Sequence, residues 1–169
     1  MVDQVLTYQI AEKDRGTAQT LLIMSRIVNE SLLDPYVNEY TKKVVQYANP
    51  RNNLEMAQMI NDFLNEHFMF FRDPSGVELL RTPRYMLEKI DKQFYYQADC
   101  DDFSILAASL AKSAGMPATF VVLGFPQSQG EYAHVFTISK INDKWYPYDR
   151  NVQYPPGNVT ITRRAYYPI

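Results

Sequence analysis

The 169-residue chain has little of several residues on which common protein sites depend, and each shortage excludes a class of protein. A single cysteine excludes an internal disulfide, so oxidation does not stabilise the fold. The two histidines lie far apart, and we therefore expect no structural zinc site. The six glycines form neither a phosphate-binding loop nor a dinucleotide fingerprint, so the sequence predicts no cofactor.

Long apolar runs and a surplus of basic charge are also missing. No stretch approaches the roughly 20 apolar residues that a membrane helix needs, and the first residues do not resemble a signal peptide. The net charge of −2 does not favour nucleic-acid binding, which usually needs a basic face. What is present is a 46% hydrophobic content, enough for a core. We expect a soluble cytoplasmic protein that binds neither membranes nor nucleic acids.

Apolar residues at helical spacing predict four helices in the first ninety residues. Asp34 before Pro35 and Thr82 before Pro83 indicate N-caps followed by a proline in the first turn. Asn52 indicates another N-cap, at capping-box spacing from Glu55. The predicted helices cover residues 17–31, residues 35 to the Asn49–Pro50 pair that ends the helix, residues 52–71 and residues 83–90. Residues 72–82 are predicted as a turn-rich connection and residues 91–98 as a loop.

Residues 99–114 form the clearest predicted helix, which Gly115 ends. The pattern then changes to β-branched and aromatic residues, which are typical of strands. The predicted strands are 118–123, 134–139, 144–148 and 158–162. Helices followed by an antiparallel sheet indicate an α+β fold. We expect an N-terminal helical extension at 1–50 and a second unit at 51–169, packed together as one compact body.

The sole cysteine, Cys100, lies at the start of the helix predicted over residues 99–114, with Asp99 as its N-cap. Unpaired N–H groups and partial positive charge at a helix start favour the reactive thiolate. Asp99, Asp101 and Asp102 act in the opposite direction, because negative charge raises the pKa of a thiol. Reactivity therefore requires an imidazolium nearby, or carboxylates that turn away into caps and ion pairs. The alternative is a small buried cysteine without chemistry.

His134 and Asp149 flank a predicted hairpin. A turn centred between residues 141 and 142 pairs Ser139 with Lys144 and places His134 directly opposite Asp149. Directly opposed residues have Cβ atoms about 4.5–5.5 Å apart, within reach of a carboxylate–imidazole hydrogen bond. The face they share is otherwise apolar, and we expect it to pack over the Cys100 helix. The alternatives are a core histidine and a strand-end ion pair of Asp149 with Arg150, while His67 is expected to be a packing residue.

Three segments together resemble the transglutaminase-like family. Residues 96–123, with the core QADCDDFSILAASLAKSAGMPATFVVL, resemble its nucleophile segment. Residues 133–136 resemble its histidine strand, and residues 143–149, DKWYPYD, resemble its aspartate strand. The resemblance implies a papain-like fold with Cys100 as nucleophile, His134 as base and Asp149 as the residue that orients it. Residues 70–83 resemble a subgroup common among bacteriophage and prophage proteins.

The resemblance implies cysteine-dependent acyl transfer on a protein or peptide amide, with either hydrolysis or cross-linking as the outcome. The alternative is a silent binding or structural module, such as a virion component with a virion or host protein as partner. A phage-encoded chain would act in the host cytoplasm or the virion. Ala98 and Arg150 depart from the family's usual glycine and proline. Candidate oxyanion or substrate residues are Gln93, Gln97, Tyr96 and Trp145.

Overall fold

The computed structural model describes residues 9–11, 13–73, 78–149 and 160–169. The helices are α1 (Lys13–Ser31), α2 (Pro35–Val44), α3 (Asn53–His67), α4 (Pro83–Gln93) and α5 (Cys100–Ser113). The strands are β1 (Phe68–Phe70), β2 (Tyr96–Ala98), β3 (Thr119–Gly124), β4 (His134–Ile141), β5 (Lys144–Tyr148) and β6 (Arg163–Pro168). The α+β class predicted from the sequence is confirmed. None of the described helices is long and apolar enough to cross a membrane.

The predicted N-caps explain where four of the five helices begin. In each case the side-chain oxygen of the cap accepts a backbone N–H from the first turn, which satisfies a donor that the helix itself cannot pair. The caps are Asp34, Asn52, Thr82 and Asp99. Helix α1 begins four residues before its predicted start at residue 17. Helix α5 ends before Gly115, whose φ of 83° suits glycine.

Two predictions are wrong where β1 and β2 form. The helix predicted to run to residue 71 ends at His67, and the loop predicted over 91–98 contains β2. The two strands pair in parallel, with Phe68 opposite Tyr96. Phe68 is buried, as a residue on the apolar face of the predicted helix would be, but it lies in a strand. Its strand conformation depends on a partner distant in sequence, which local periodicity does not reveal.

The main sheet has the order β5–β4–β3–β6, and all its neighbours are antiparallel. The strand predicted at 158–162 is misplaced. Its first two residues lie outside the described part of the chain, and β6 begins only at Arg163. There Arg163 pairs with Gly124 of β3. The strands β3, β4 and β5 lie within one or two residues of their predicted bounds.

Helix α5 lies at the centre of the molecule, and every residue from Asp102 to Ala111 is buried. Alanines at 107, 108 and 111 allow close packing on all sides, as expected of a helix without a polar face. One hydrophobic cluster runs from Leu21 of α1 through α5 to Tyr148 of β5. The core thus includes residues from both predicted units, 1–50 and 51–169. The boundary between the two units stays a prediction.

The predicted hairpin register is wrong by two residues. Ile141 pairs with Lys144, and the turn consists of Asn142 and Asp143 with φ values of 48° and 62°. Asn and Asp tolerate these left-handed conformations, which a two-residue hairpin turn requires. Continued outward, this register places Asp149 opposite Phe136 and diagonal to His134. An even shift keeps side chains on the same face, so the predicted contact survives.

Candidate active site

Hydrogen bonds between α5 and β4 bring the two key segments together. The Ser104 hydroxyl lies 2.6 Å from the Cys100 carbonyl oxygen and 3.2 Å from the Val135 carbonyl oxygen. The Thr137 hydroxyl donates to the Ser104 carbonyl oxygen at 2.9 Å. The start of α5, which carries Cys100, is thereby held beside the start of β4, which begins with His134.

The face of β4 that packs on α5 is not the predicted one. Val135 and Ile141 belong to the main core with α5, whereas Phe136 and Ile138 join a separate cluster with Val121 and Leu123. Alternation along the strand therefore places His134 on the face away from α5. His134 reaches the helix start because it is the first residue of β4 and lies at the end of the sheet.

His134 and Asp149 form a close and nearly buried pair. His134 Nε2 lies 2.9 Å from Asp149 Oδ2, and the two side chains are 11% and 4% exposed. The imidazole also stacks on the Phe136 ring, with centroids 6.0 Å apart. A carboxylate at Nε2 holds the ring in one orientation and leaves Nδ1 as the nitrogen that can exchange a proton elsewhere.

Cys100, His134 and Asp149 line one small cavity at the start of α5. Its volume is about 10 Å³, about the space that one water molecule needs. Aromatic rings enclose it, and one of them, Phe68, packs edge-on against Phe103 with centroids 5.1 Å apart. The remaining lining residues are Phe70, Asp99, Phe103 and Val135. The three residues predicted as a triad are therefore brought to one place.

The electrostatics around Cys100 favour the neutral thiol. Burial raises its pKa well above the usual range, and the negative charge of Asp101 raises it further. The Cys100 thiol donates to Asp101 Oδ1 at 3.7 Å. The backbone N–H of Val135 has the opposite effect, because it hydrogen-bonds the sulfur and lowers the pKa. A proton acceptor is needed before this thiol can act as a nucleophile.

The three aspartates of the DCDD segment have different roles. Asp99 is the N-cap, and burial followed by the charges of Asp73 and Glu78 raises its pKa to about 6. Asp102 turns away and pairs with Arg81 at 2.7 Å. Asp101 faces the thiol and is hydrogen-bonded to Glu78, so burial and this second carboxyl raise its pKa. Two of the three carboxylates are therefore engaged in a cap and an ion pair, and one is directed at the sulfur.

We expect the Asp101→Asn substitution to make Cys100 more reactive. The Asp101 carboxyl raises the pKa of the thiol through its charge when ionised and through its hydrogen bond with the thiol, and the uncharged asparagine removes the charge-based part of this effect. One pKa unit corresponds to a tenfold change in the thiolate fraction. The rate of alkylation by iodoacetamide at neutral pH should rise by roughly tenfold. Asp143→Asn, at a turn residue whose side chain is 93% exposed, is the matched control and should leave the rate unchanged. A lower rate in Asp101→Asn would contradict the electrostatic account.

The four weaker candidates from the sequence do not line the cavity. Gln93 and Gln97 are exposed, at the end of α4 and within β2. Tyr96 is buried between Phe68 and Tyr85. Trp145 is 47% exposed and pairs with Lys140 across the hairpin. None of these four side chains lines either of the two cavities that reach Cys100, and their proposed role stays a prediction.

Sequence reasoning missed Glu78, Phe68 and Phe70. Glu78 reaches Asp101 from the connection between β1 and α4, and the two phenylalanines enclose the cavity from β1. Phe70 and Glu78 lie within residues 70–83, the segment that resembles phage proteins, and Phe68 lies two residues before it. The sequence contained no other indication of their role in the site. His67 is a packing residue, as expected: its ring lies between Phe63 and Phe94.

Within the described residues, one group has the composition of a possible cation site. Oxygens of Asp73, Glu78 and Asp99 lie within 4.8 Å of one another. Burial, followed by the charges of Asp73 and Glu78, raises the pKa of Asp99 to about 6. Of the three carboxyl groups, Asp99 acts on Cys100, because its charge raises the pKa of the thiol.

Comparisons with known proteins identify the family of the chain and proteins of similar fold. The family model described as "Transglutaminase-like superfamily" matches residues 38–150, more than half of the chain. A candidate protease from Parabacteroides distasonis has a similar structure, with a TM-score of 0.59 and 11% sequence identity. The match covers 76% of this chain and 25% of the protease chain. A candidate cysteine protease from Cytophaga hutchinsonii has a TM-score of 0.51 and 15% identity, over 79% of this chain and 50% of its own. The chain thus spans a quarter and a half of these two proteins. A comparison with curated protein sequences gave no significant match.

Proposed function

Because the chain belongs to the transglutaminase-like superfamily, we propose that Cys100, His134 and Asp149 act as a triad for cysteine-dependent acyl transfer. The substrate is an amide of a protein or peptide. The observation that carries the proposal is the shared cavity, in which the thiol, the imidazole and the carboxylate meet at a helix start. The hydrogen bond of 2.9 Å between His134 Nε2 and Asp149 supports the assignment of base and orienting residue.

The proposed reaction begins when the Cys100 thiol gives its proton to His134 Nδ1. The thiolate attacks the carbonyl carbon, and the C=O electron pair moves to the oxygen. Backbone N–H groups at the start of α5 stabilise that oxyanion. His134 then protonates the leaving amine, the C–N bond breaks, and a thioester remains on Cys100. Asp149 holds the imidazole throughout and stabilises its protonated form.

We favour hydrolysis of the thioester over transfer to an amine. Hydrolysis requires no second substrate site, and the cavity beside the thiol has about the volume of one water molecule. Water activated by His134 adds to the thioester carbonyl, and the thiol leaves with its proton restored. Hydrolysis is also the activity named for the two candidate proteases of similar fold, which supports this choice.

A second candidate function is a binding or structural module that retains the fold without catalysis. The raised pKa of the Cys100 thiol favours this reading, because a neutral thiol beside a carboxyl is a poor nucleophile. The narrower resemblance to phage proteins stays a prediction, and so do a virion partner and a location in the cytoplasm or the virion.

Alkylation of Cys100 by iodoacetamide separates the two candidates. If the triad is active, the wild-type thiol reacts at neutral pH faster than free cysteine, because His134 accepts its proton. His134→Ala should lower the rate to that of free cysteine or below. His67→Ala is the matched control and should leave the rate unchanged, since His67 lies between two aromatic rings outside the cavity. Wild-type labelling no faster than free cysteine would refute the catalytic proposal.

A further inference from the structure

A second, larger cavity also reaches the reactive groups. It is an open groove of about 340 Å³, and both Cys100 and His134 line it. The cavity inside the triad has only about 10 Å³ and is lined by aromatic rings, so it has no room for a substrate chain. Of these two cavities lined by described residues, the large groove is the one with room for a peptide carbonyl to reach the thiol.

One face of α1 forms a wall of this groove. The lining positions on the helix are 13, 16, 17, 20, 21 and 24, which are the three- and four-residue steps of a single helix face. Tyr132 and Val135 line the groove from the chain around the start of β4. Helix α1 lies outside residues 38–150, so this wall is not part of the region that the family model matches.

The width of the groove is set by contacts on both walls. Leu21 and Met24 anchor α1 in the core. Arg163 of β6 forms a two-pronged ion pair with Asp14 at the start of α1, with both distances 2.9 Å. The same guanidinium lies 4.4 Å from the ring centroid of Tyr132. One side chain therefore connects the first turn of α1 to the opposite wall, so the two walls have a defined spacing.

The α1 wall has small polar side chains beside the groove. Thr17 and Thr20 are partly exposed and lie one turn apart. The Thr17 hydroxyl lies 3.4 Å from the Lys13 carbonyl oxygen, at the limit of a hydrogen bond. A wall of this kind offers hydroxyl groups to a peptide backbone, and its short side chains leave space for that peptide in the groove.

The geometry points to α1 as the substrate-binding wall of the proposed enzyme: Thr17 and Thr20 contact the acyl part of an extended peptide substrate. This inference rests on the proposed function, since it requires that Cys100 react with a peptide carbonyl. It adds where along the chain the peptide is bound. It assigns recognition of the peptide to a helix that the family match does not include.

The test compares two electrophiles on the full chain. Iodoacetamide is small and needs only the thiol, whereas N-acetyl-Ala-Ala-Ala-chloromethyl ketone must also place its peptide in the groove. Thr20→Trp should slow the chloromethyl ketone by about tenfold or more, the effect expected of a blocked pocket. Its iodoacetamide rate should stay within about twofold of the wild-type rate.

Two further variants keep the test falsifiable if Thr20→Trp folds poorly. Thr17→Leu narrows the same wall and should also slow the peptide probe selectively. Leu22→Trp adds a large ring to α1 at a side chain that is 61% exposed and outside the groove, and it should change neither rate. Equal chloromethyl ketone rates in the wild type, Thr17→Leu and Thr20→Trp, with fast iodoacetamide labelling, would overturn the α1 wall and leave the triad intact. Slow iodoacetamide labelling of the wild type would overturn both.

Discussion

Replacing Asp149 with alanine is expected to lower the rate of Cys100 acylation by about 10²-fold to 10⁴-fold. The Asp149 carboxylate is the group that holds His134 Nε2, at 2.9 Å, and its side chain is only 4% exposed. Without it the imidazole is free to turn, and Nδ1 no longer has a defined direction toward the thiol. The imidazolium formed in the reaction also loses its counter-charge.

Release of p-nitrophenolate from p-nitrophenyl acetate measures this acylation. The expected loss is in kcat, with little change in KM, because Asp149 acts through His134 rather than on the substrate. Asp143→Asn is the matched control, since it removes an exposed carboxylate from the turn of the same hairpin and keeps a residue that tolerates the left-handed conformation there. An unchanged kcat in a folded Asp149→Ala variant would exclude the residue from the reaction.

Replacing Arg81 with alanine is expected to destabilise the fold by about 3 kcal/mol at pH 8, because it leaves a buried carboxylate without its counter-ion. The Asp102 side chain is fully buried, and it accepts both the Arg81 guanidinium at 2.7 Å and the Arg81 backbone N–H at 2.9 Å. Arg81 itself is 26% exposed, which places the effect at the lower end of the range for buried pairs.

The cost of Arg81→Ala should be smaller at pH 5. Burial raises the pKa of Asp102 to about 7 although Arg81 acts to lower it, so below that pH the folded protein holds a neutral carboxyl. A raised pKa in the folded state means that stability is greatest below the ordinary aspartate pKa of about 3.9 and falls as pH rises through about 7. Without Arg81 the pKa of Asp102 rises further, so this fall in stability continues to higher pH and becomes larger in total.

Urea unfolding of the wild type and the variant at pH 5 and pH 8 measures both effects. Asp102→Asn in the Arg81→Ala background should recover part of the loss at pH 8, since no buried charge then remains. Arg84→Ala is the control, because Arg84 pairs with Asp34 and Glu88 on the surface and should matter little. Equal destabilisation by Arg81→Ala at the two pH values would contradict the ion-pair explanation.

Prediction from the sequence succeeded where the signal is local. Asp34, Asn52, Thr82 and Asp99 were predicted as N-caps because a short polar side chain before an amphipathic run satisfies the first backbone N–H groups. Prediction from the sequence failed for β1 and β2, because these two strands pair with each other although α4 and its connections separate them in the chain. The backbone groups of such short strands have no partner within their own segment.

The hairpin shows how a partial prediction can still locate a contact. Alternation of side chains correctly placed His134 and Asp149 on one face, but the type of turn shifted the register by two residues. Diagonal neighbours remain within reach, and the hydrogen bond forms at 2.9 Å. A shift of one residue would have separated the two side chains to opposite faces.

The sequence by itself determined the class of the fold, four of the five helix starts and the three residues proposed as a triad, because these depend on local patterns, on a single cysteine and two histidines, and on motifs around them. Only the tertiary structure decided which face of β4 meets α5, that Asp101 faces the thiol and Glu78 is hydrogen-bonded to Asp101, and that α1 borders the groove to Cys100. These features depend on distances between segments far apart in the chain. Such distances are set by the packing of α1, α5 and the sheet around one core.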